Sequence, residues 1–531
     1  MFAEAQISHL QRLTEIGIAL SAEKDIQKLL EMILEEAMSF THADAGTLYT
    51  VDDAAKCLRF EIIRNLTLNT FLGGKKGREI DLPAVPLEVE GRPNLSNVSS
   101  FCALSKKIVN IPEVYQAEGF DFTGPKEYDA RTGYRSRSML VIPLENRETE
   151  VIGVLQLLNA KNPETGEVIP FDAKYEQTVV ALASQAAIAL ENARLIAELK
   201  KLLHAFIESI ATAIDAKSPY TAGHISRVTE LTMMIARKVN EAREGTFAEV
   251  TFSEEELEEL RIAAWMHDVG KISTPEYVVD KSRKLETIFD RSELVKTRFQ
   301  LIRQVKEKEM LARKLAALQS GAGSSEESGK WEQDLQRELA LLQEEEDFII
   351  RCNLGREEMR DQDIERMKQI AAKEYEIDGQ RYPYLSEDER RHLCIRRGTL
   401  TPEERKIIES HALLSIKILR QLPFPRQLSH VPDYAGGHHE RLDGSGYPFG
   451  LKAEELPLQA RIMALADVFE ALTAKDRPYK APMKLSRALE ILKDMCERRH
   501  IDRELYDLFV SSGLYREYAE RELSKEQIDV G

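Results

Sequence analysis

The chain has 531 residues, 43% of them hydrophobic and 31% charged, with a formal net charge of −17 at pH 7. That length exceeds one ordinary hydrophobic core and calls for three or four domains or segments, while the acidic balance argues against a general binder of long nucleic acid, which would present basic surface to phosphates. Cys57, Cys102, Cys352, Cys394 and Cys496 lack the short repeated spacing of a zinc ribbon or disulfide framework, and no basic-then-apolar leader opens the chain, so a soluble, cytoplasmic protein without a membrane span is expected.

Residues 7 to 39 carry helical periodicity, and two strands follow around a polar turn, Thr47–Val51 and Leu58–Ile63. Ser138–Leu144 and Val151–Leu157 flank the polar Glu145–Glu150, which is the composition of an antiparallel hairpin, and a long helix begins near Asp172. Helix, hairpins and closing helix describe an α+β sensory module. The runs Thr132-Gly133-Tyr134-Arg135-Ser136-Arg137-Ser138-Met139-Leu140 and Gly153-Val154-Leu155-Gln156-Leu157-Leu158-Asn159 resemble a GAF domain extending over residues 8 to 195. The resemblance implies either a small-molecule ligand held between sheet and loops or a dimerising role. The signature of the type that binds cyclic nucleotides is matched only in part: Ala160 separates Asn159 from Lys161, and Tyr175-Glu176 follows Phe171-Asp172 where Asp-Glu is expected.

From Tyr175 no glycine or proline occurs until Pro219. Ile196, Leu199, Leu203, Phe206, Ile210 and Ala213 recur at alternating spacings of three and four, the seam of a coiled coil. One reading is a helix packed on its own domain. The other, favoured because the seam leads straight to a metal-ligand type at His224, is a parallel linker joining a homodimer.

His224 opens an amphipathic helix through Leu231, Met234, Ile235 and Val239, and Ser253-Glu254-Glu255-Glu256 is a capping-box start for the next. That helix closes on Ala264-Trp265-Met266-His267-Asp268-Val269-Gly270-Lys271, an imidazole beside a carboxylate that can bridge two ions. Two charged amphipathic segments then carry Leu301, Val305, Leu311, Leu315 and Leu318, and Trp331, Leu335, Leu339, Leu342 and Ile349, around Gly321-Ala322-Gly323-Ser324-Ser325. This pattern predicts an antiparallel helical hairpin with a solvated charged face, protruding and supplying no ligand, His392 included. Thr401-Pro402-Glu403-Glu404 starts a capped helix with proline at its first position, and His411 lies on it.

The stretch His438-His439-Glu440-Arg441-Leu442-Asp443-Gly444-Ser445-Gly446-Tyr447-Pro448 sets two histidines against a turn that glycine and proline enforce. Adjacent helical side chains point about 100° apart, so each histidine is assigned to a different ion of a close pair. Asp467 follows on a helix over 459 to 472, and Arg477 and Lys480 lie beyond it.

The order of His224, His267-Asp268, His411, His438-His439, Gly446-Tyr447-Pro448 and Asp467 resembles the HD-GYP family of the HD phosphohydrolases, whose members hydrolyse cyclic di-GMP. The resemblance implies a multidomain chain: an α+β GAF domain with flanking helices (1–195), a linker helix (196–216), and an all-α HD-GYP domain (217–284 and 399–531) interrupted by the helical hairpin insertion (285–398). It implies metal ligation by His224, His267, Asp268, His411, His438, His439 and Asp467, with Asp268 and Lys271 in catalysis and Arg477 and Lys480 on the substrate. Tyr220 stands where some members carry a glutamate for a third ion, which favours two. Five imidazoles and two carboxylates without a thiolate suit Fe or Mn, with Zn the next choice, better than Mg. Such a pair acidifies a water and presents it to phosphorus while Lys271 neutralises phosphate charge. The activity implied is hydrolysis of cyclic di-GMP to linear pGpG or GMP under GAF control. The alternatives are hydrolysis of another nucleotide and a non-catalytic scaffold binding diguanylate cyclases.

Overall fold

The computed structural model describes residues 14–23, 25–217, 223–320, 325–355, 358–474 and 482–530, and the chain divides into two compact units, 1–203 and 204–531. In the first unit the helical periodicity over 7 to 39, of which 7–13 lie outside the described residues, resolves into two helices. Residues 14–22 are helical, and α1 (Ile26–Thr41) starts afresh where the Asp25 side chain accepts the N–H groups of Gln27 and Lys28. A side-chain cap of that kind supplies acceptors for orphan donors and so marks a new helix start.

Strands β1 (Ala43–Asp52), β2 (Cys57–Asn65), β3 (Thr70–Gly73), β4 (Val109–Ile111), β5 (Met139–Glu145) and β6 (Val151–Lys161) form an antiparallel sheet in the order β3-β2-β1-β6-β5-β4. Both faces are covered, which is why β5 and β6 read as near-continuous apolar runs. Leu48, Leu140, Ile142 and Leu155 join the core beneath α1. Their strand neighbours Tyr49, Met139, Val141 and Val154 join a second core with Val98 and Cys102 of α2 (Val98–Ser105) and with Phe122, which precedes α3 (Thr123–Thr132). The alternation is the period of two expected of a strand.

Helix α4 (Ala173–Asp215) closes the first core through Val179, Leu182, Ala183, Ala186 and Leu190. By length and composition residues 176–215 are long and apolar enough to cross a membrane, with a mean hydropathy of 1.3 over the best window and 44% of that stretch buried, although the raw sequence shows no uninterrupted apolar run. Farther along, Ile207, Ala211 and Ile214 belong to the core of the second unit.

That second core gathers α5 (His224–Glu241), α6 (Glu254–Met266) and, from later in the chain, helices near 431–436, 458–473 and 485–522. Between them, α7 (Ser292–Ser320) and α8 (Ser325–Asn353) form the expected antiparallel hairpin. The insertion is more than a hairpin, however. Helix α9 (Asp361–Ala371), a ribbon of β7 (Glu374–Ile377) and β8 (Gln380–Pro383), and α10 (Glu387–Leu393) complete a separate core containing Val295, Phe299, Ile302, Leu342, Ile349, Met367, Ile370, Leu385 and Leu393. Leu301, Leu311, Leu315 and Leu318, which periodicity put on the packed face, are exposed. The face of α7 that packs is the one carrying Phe299 and Ile302, with flanking pairs Arg303–Glu346 and Lys306–Glu338 across the hairpin.

The root of the insertion is tied down by polar contacts. The Asn353 carbonyl accepts the Lys284 N–H at 2.9 Å and its side chain accepts that of Leu285 at 2.7 Å. The fully buried Lys284 ammonium donates to the Ile395 carbonyl at 2.7 Å. A deletion as large as 298–353 would therefore remove core. Excising Glu307–Arg337 and closing the gap with glycine and serine is expected to cost less than about 1 kcal/mol, whereas Phe299→Ala, edge-on to Tyr384, should cost about 3 to 5 kcal/mol. Urea denaturation of both variants checks the contrast.

Candidate metal centre

Five segments converge on one buried point. Gly223, with φ at 76°, turns the chain so that His224 becomes the first residue of α5. His267 ends α6, and Asp268 precedes a 3-10 turn over Val269–Ser273. His411 lies within α11 (Pro402–Leu419), which begins at the expected capping box between Thr401 and Glu404. His438 and His439 follow the short α12 (Val431–Gly436), and Asp467 lies within α13 (Leu458–Thr473).

The ligand atoms of His224, His267 and Asp268 lie within 4.8 Å of one another, and those of His411, His438 and His439 form a second such group. Asp268 stands between them: its Oδ2 is 3.4 Å from His267 Nε2 and 3.6 Å from His224 Nε2, while its Oδ1 is 3.3 Å from His411 Nε2. Asp467 spans the same gap, with Oδ1 at 3.4 Å from His224 Nε2 and Oδ2 at 3.8 Å from His439 Nδ1. Two carboxylates each facing two imidazole groups make an arrangement suited to a pair of ions. One detail differs from the sequence reading: His438 and His439 fall in the same group, their ring centroids 3.9 Å apart. They occupy a turn after α12, so the helical stagger that would separate them does not apply.

The tautomers are fixed by the backbone. Nδ1 of His267, His411 and His438 each faces the main-chain oxygen three residues earlier, on Ala264, Ile408 and Ala435. Donation there leaves each Nε2 with its lone pair pointing inward. Those three Nε2 atoms and Asp268 Oδ1 are buried with no hydrogen-bond partner. Four orphaned polar atoms converging at one point would be costly unless something binds there, so the residues fit divalent cations.

The protonation states of His411, His438, His439 and Asp268 agree. Burial pushes His439 down to about 3 and holds His411 and His438 below the usual imidazole range. Burial opposes ionisation of Asp268, but Lys271 and His267 outweigh it and keep the carboxyl well below its usual range. His224 is the exception: burial disfavours its charged form, yet Asp467 and Glu470 raise it to about 10. Neutral imidazoles and ionised carboxylates are the forms that ligate metals.

Several supporting residues carried no sequence mark. Glu470, one turn after Asp467, hydrogen-bonds His224 Nδ1 and pairs with Arg227 at 2.7 Å. Ser415 Oγ donates to the His267 carbonyl at 2.8 Å and accepts the Gly270 N–H at 2.9 Å, binding the turn to α11. Glu440 accepts the N–H groups of Phe449 and Leu451 and thereby shapes the loop carrying Tyr447, whose ring lies 4.8 Å from that of His439. Lys271 Nζ donates to Asp268 Oδ2 at 2.5 Å. His392 instead faces the Asp388 carbonyl inside the insertion. Arg477, Lys480 and Tyr220 lie outside the described residues.

Comparison with known proteins matches this architecture. The GAF-domain family profile fits residues 25–190, and two HD-domain profiles fit 221–365 and 388–505. The chain is a GAF domain followed by HD-type segments. Its relatives include a cyclic di-GMP phosphodiesterase of Thermotoga maritima, 40% identical over 103 residues, covering 19% of this chain and 27% of that one. A cyclic di-GMP phosphodiesterase of Pseudomonas aeruginosa is 40% identical over 121 residues, 22% of this chain and 28% of the relative. The 3'3'-cGAMP-specific phosphodiesterase 1 of Vibrio cholerae is 40% identical over 113 residues, 21% and 25% of the two chains. The chain thus spans between 25% and 28% of the length of these relatives.

Proposed function

We propose that the chain is a metal-dependent phosphodiesterase that opens cyclic di-GMP to linear pGpG or GMP, regulated by its GAF domain. The observation that carries this reading is the convergence of His267 Nε2, His411 Nε2, His438 Nε2 and Asp268 Oδ1, all buried and without a hydrogen bond, with the Asp467 carboxylate spanning the same two groups. His224, His267, Asp268, His411, His438, His439 and Asp467 would hold an Fe or Mn pair, which would supply Lewis acidity and make water a better nucleophile. The chain's own contribution is positional. Asp268 keeps Lys271 beside the site, where its ammonium offsets charge on the reacting phosphate. Arg477 and Lys480 are assigned to the dianionic substrate. A small molecule at the GAF domain is the proposed regulator, and the cytoplasm the proposed compartment.

A second substrate, 3'3'-cGAMP, is favoured by one observation: a relative specific for it is as similar, at 40% identity, as those acting on cyclic di-GMP. Hydrolysis of both dinucleotides, followed by chromatography on anaerobically purified protein with Fe or Mn, decides. The reading expects kcat/KM for cyclic di-GMP to exceed that for 3'3'-cGAMP by at least about tenfold. The reverse ratio would reassign the substrate, and turnover of neither would overturn the reading.

The linker bears on assembly. Ile196, Leu199 and Phe206 are 56%, 67% and 58% exposed, as the unfilled seam of a two-stranded coil would be in a single chain. Light scattering is expected to give twice the 60.4 kDa chain mass, and the chain mass alone after Leu199→Glu with Phe206→Glu. A monomeric wild type would contradict the dimer.

A further inference from the structure

The last residue of α4 and the turn that follows it touch both segments that carry the first ligands. Lys217 Nζ donates to three main-chain oxygens, those of Lys271 at 3.0 Å, Ile272 at 2.6 Å and Thr274 at 2.6 Å. They lie at the end of the 3-10 turn over Val269–Ser273 and just past it; the Lys271 carbonyl also accepts the Thr274 N–H at 3.1 Å, so the ammonium adds a second donor to that oxygen. A lysine ammonium has three donors, and all three are spent here on one strip of backbone. Two residues earlier, the Asp215 carboxylate accepts the N–H of Gly223 at 3.0 Å. Gly223 is the cap from which α5 starts with His224.

One helix end therefore holds the backbone before His224 and the turn after Asp268. The turn's third residue is Lys271, whose carbonyl Lys217 holds and whose side chain reaches Asp268. From the opposite side the same turn is held by Ser415 through the Gly270 N–H. The α11 side is thus fixed by Ser415 and the close packing of Gly270, and the α4 side by three hydrogen bonds to Lys217.

We propose that Lys217 is a positioning residue: it clamps residues 271–274 so that Lys271 and Asp268 stay aligned with the phosphate, and it makes the end of α4 the mechanical input to the metal centre. The kinetic part rests on the phosphodiesterase reading; the clamp itself does not. Misplacing reacting groups by about 1 Å costs on the order of a hundredfold in rate, so a small displacement of α4 transmitted through three hydrogen bonds is enough to grade activity.

The test compares full-length wild type, Lys217→Met, which keeps the aliphatic stem but has no donor, and Lys217→Arg, which restores donors. Amide hydrogen exchange over 269–274, bound metal, kcat and KM are measured on each. Lys217→Met is expected to keep its metal and its KM within about twofold, to lose about tenfold in kcat, and to exchange the 269–274 amides about tenfold faster. Lys217→Arg should recover most of both losses. Unchanged exchange in Lys217→Met overturns the clamp, and faster exchange with unchanged kcat overturns its role in positioning. If the wild type hydrolyses no cyclic dinucleotide, the phosphodiesterase reading fails, and the exchange comparison still decides whether Lys217 holds the turn.

Discussion

Asp268→Ala is expected to remove hydrolysis to below about one thousandth of the wild-type rate and to strip metal from the purified protein. The size of the effect follows from its position. Its two oxygens face different histidine groups, at 3.3 Å from His411 Nε2 and at 3.4 Å and 3.6 Å from His267 and His224. It also holds Lys271 at 2.5 Å, so one truncation removes a ligand common to both groups and frees the ammonium assigned to the phosphate. His267→Ala, which removes one imidazole and no bridge, should leave more residual metal. Elemental analysis and chromatography of the products on the same preparations check both variants, and full metal occupancy with normal turnover in Asp268→Ala would remove the site assignment.

Gly270→Ala should be severely disruptive, because among the described glycines of the second unit an added Cβ makes its closest approach there. A Cβ at this position would lie 2.0 Å from the His411 carbonyl oxygen and 2.7 Å from the Ser415 nitrogen. Both are backbone atoms of α11 and cannot rotate away, so the helix must retreat from the turn. Retreat breaks the Ser415 hydrogen bonds to Gly270 and His267 and withdraws His411 from Asp268. A destabilisation of about 3 kcal/mol or more is expected, with loss of metal from the His411 group. Gly329→Ala, on α8 with no atom within 4 Å of the added carbon, is the matched control, and should be stabilising by about 0.5 to 1 kcal/mol. Urea denaturation that ranks the two variants the other way would contradict the packing argument.

The seven ligand candidates were legible through the combined order of His224, His267-Asp268, His411, His438-His439 and Asp467, which resembles the HD-GYP family; only the glycine turn after His438-His439 is a strong signal local in sequence. The strands at 47–51, 58–63, 138–144 and 151–157 were legible locally, each being a short apolar run bounded by polar turns. Glu470 was not. It looks like any charged residue on an amphipathic helix, and its role exists only because α13 meets α5 across a separation of 246 residues. Lys217 was hidden likewise, since its three acceptors are carbonyls that no side-chain pattern reveals. The insertion misled for a different reason: the leucines at 301, 311, 315 and 318 keep helical spacing whether or not anything covers them. Its actual core draws Met367, Ile370, Leu385 and Leu393 from beyond the hairpin. The break before α1 was missed because Asp25 acts as a cap only through its backbone geometry, which the apolar periodicity on either side conceals.

The central claim is that Asp268 and Asp467 span two cation sites, and anomalous diffraction at the Fe and Mn absorption edges from crystals of anaerobically prepared full-length protein tests it most directly. Two peaks per chain are expected, one beside His224 and His267 and the other beside His411 and His439, each within reach of an oxygen of Asp268. A single peak, or metal only at residues away from these carboxylates in protein that hydrolyses cyclic dinucleotides, would contradict the account.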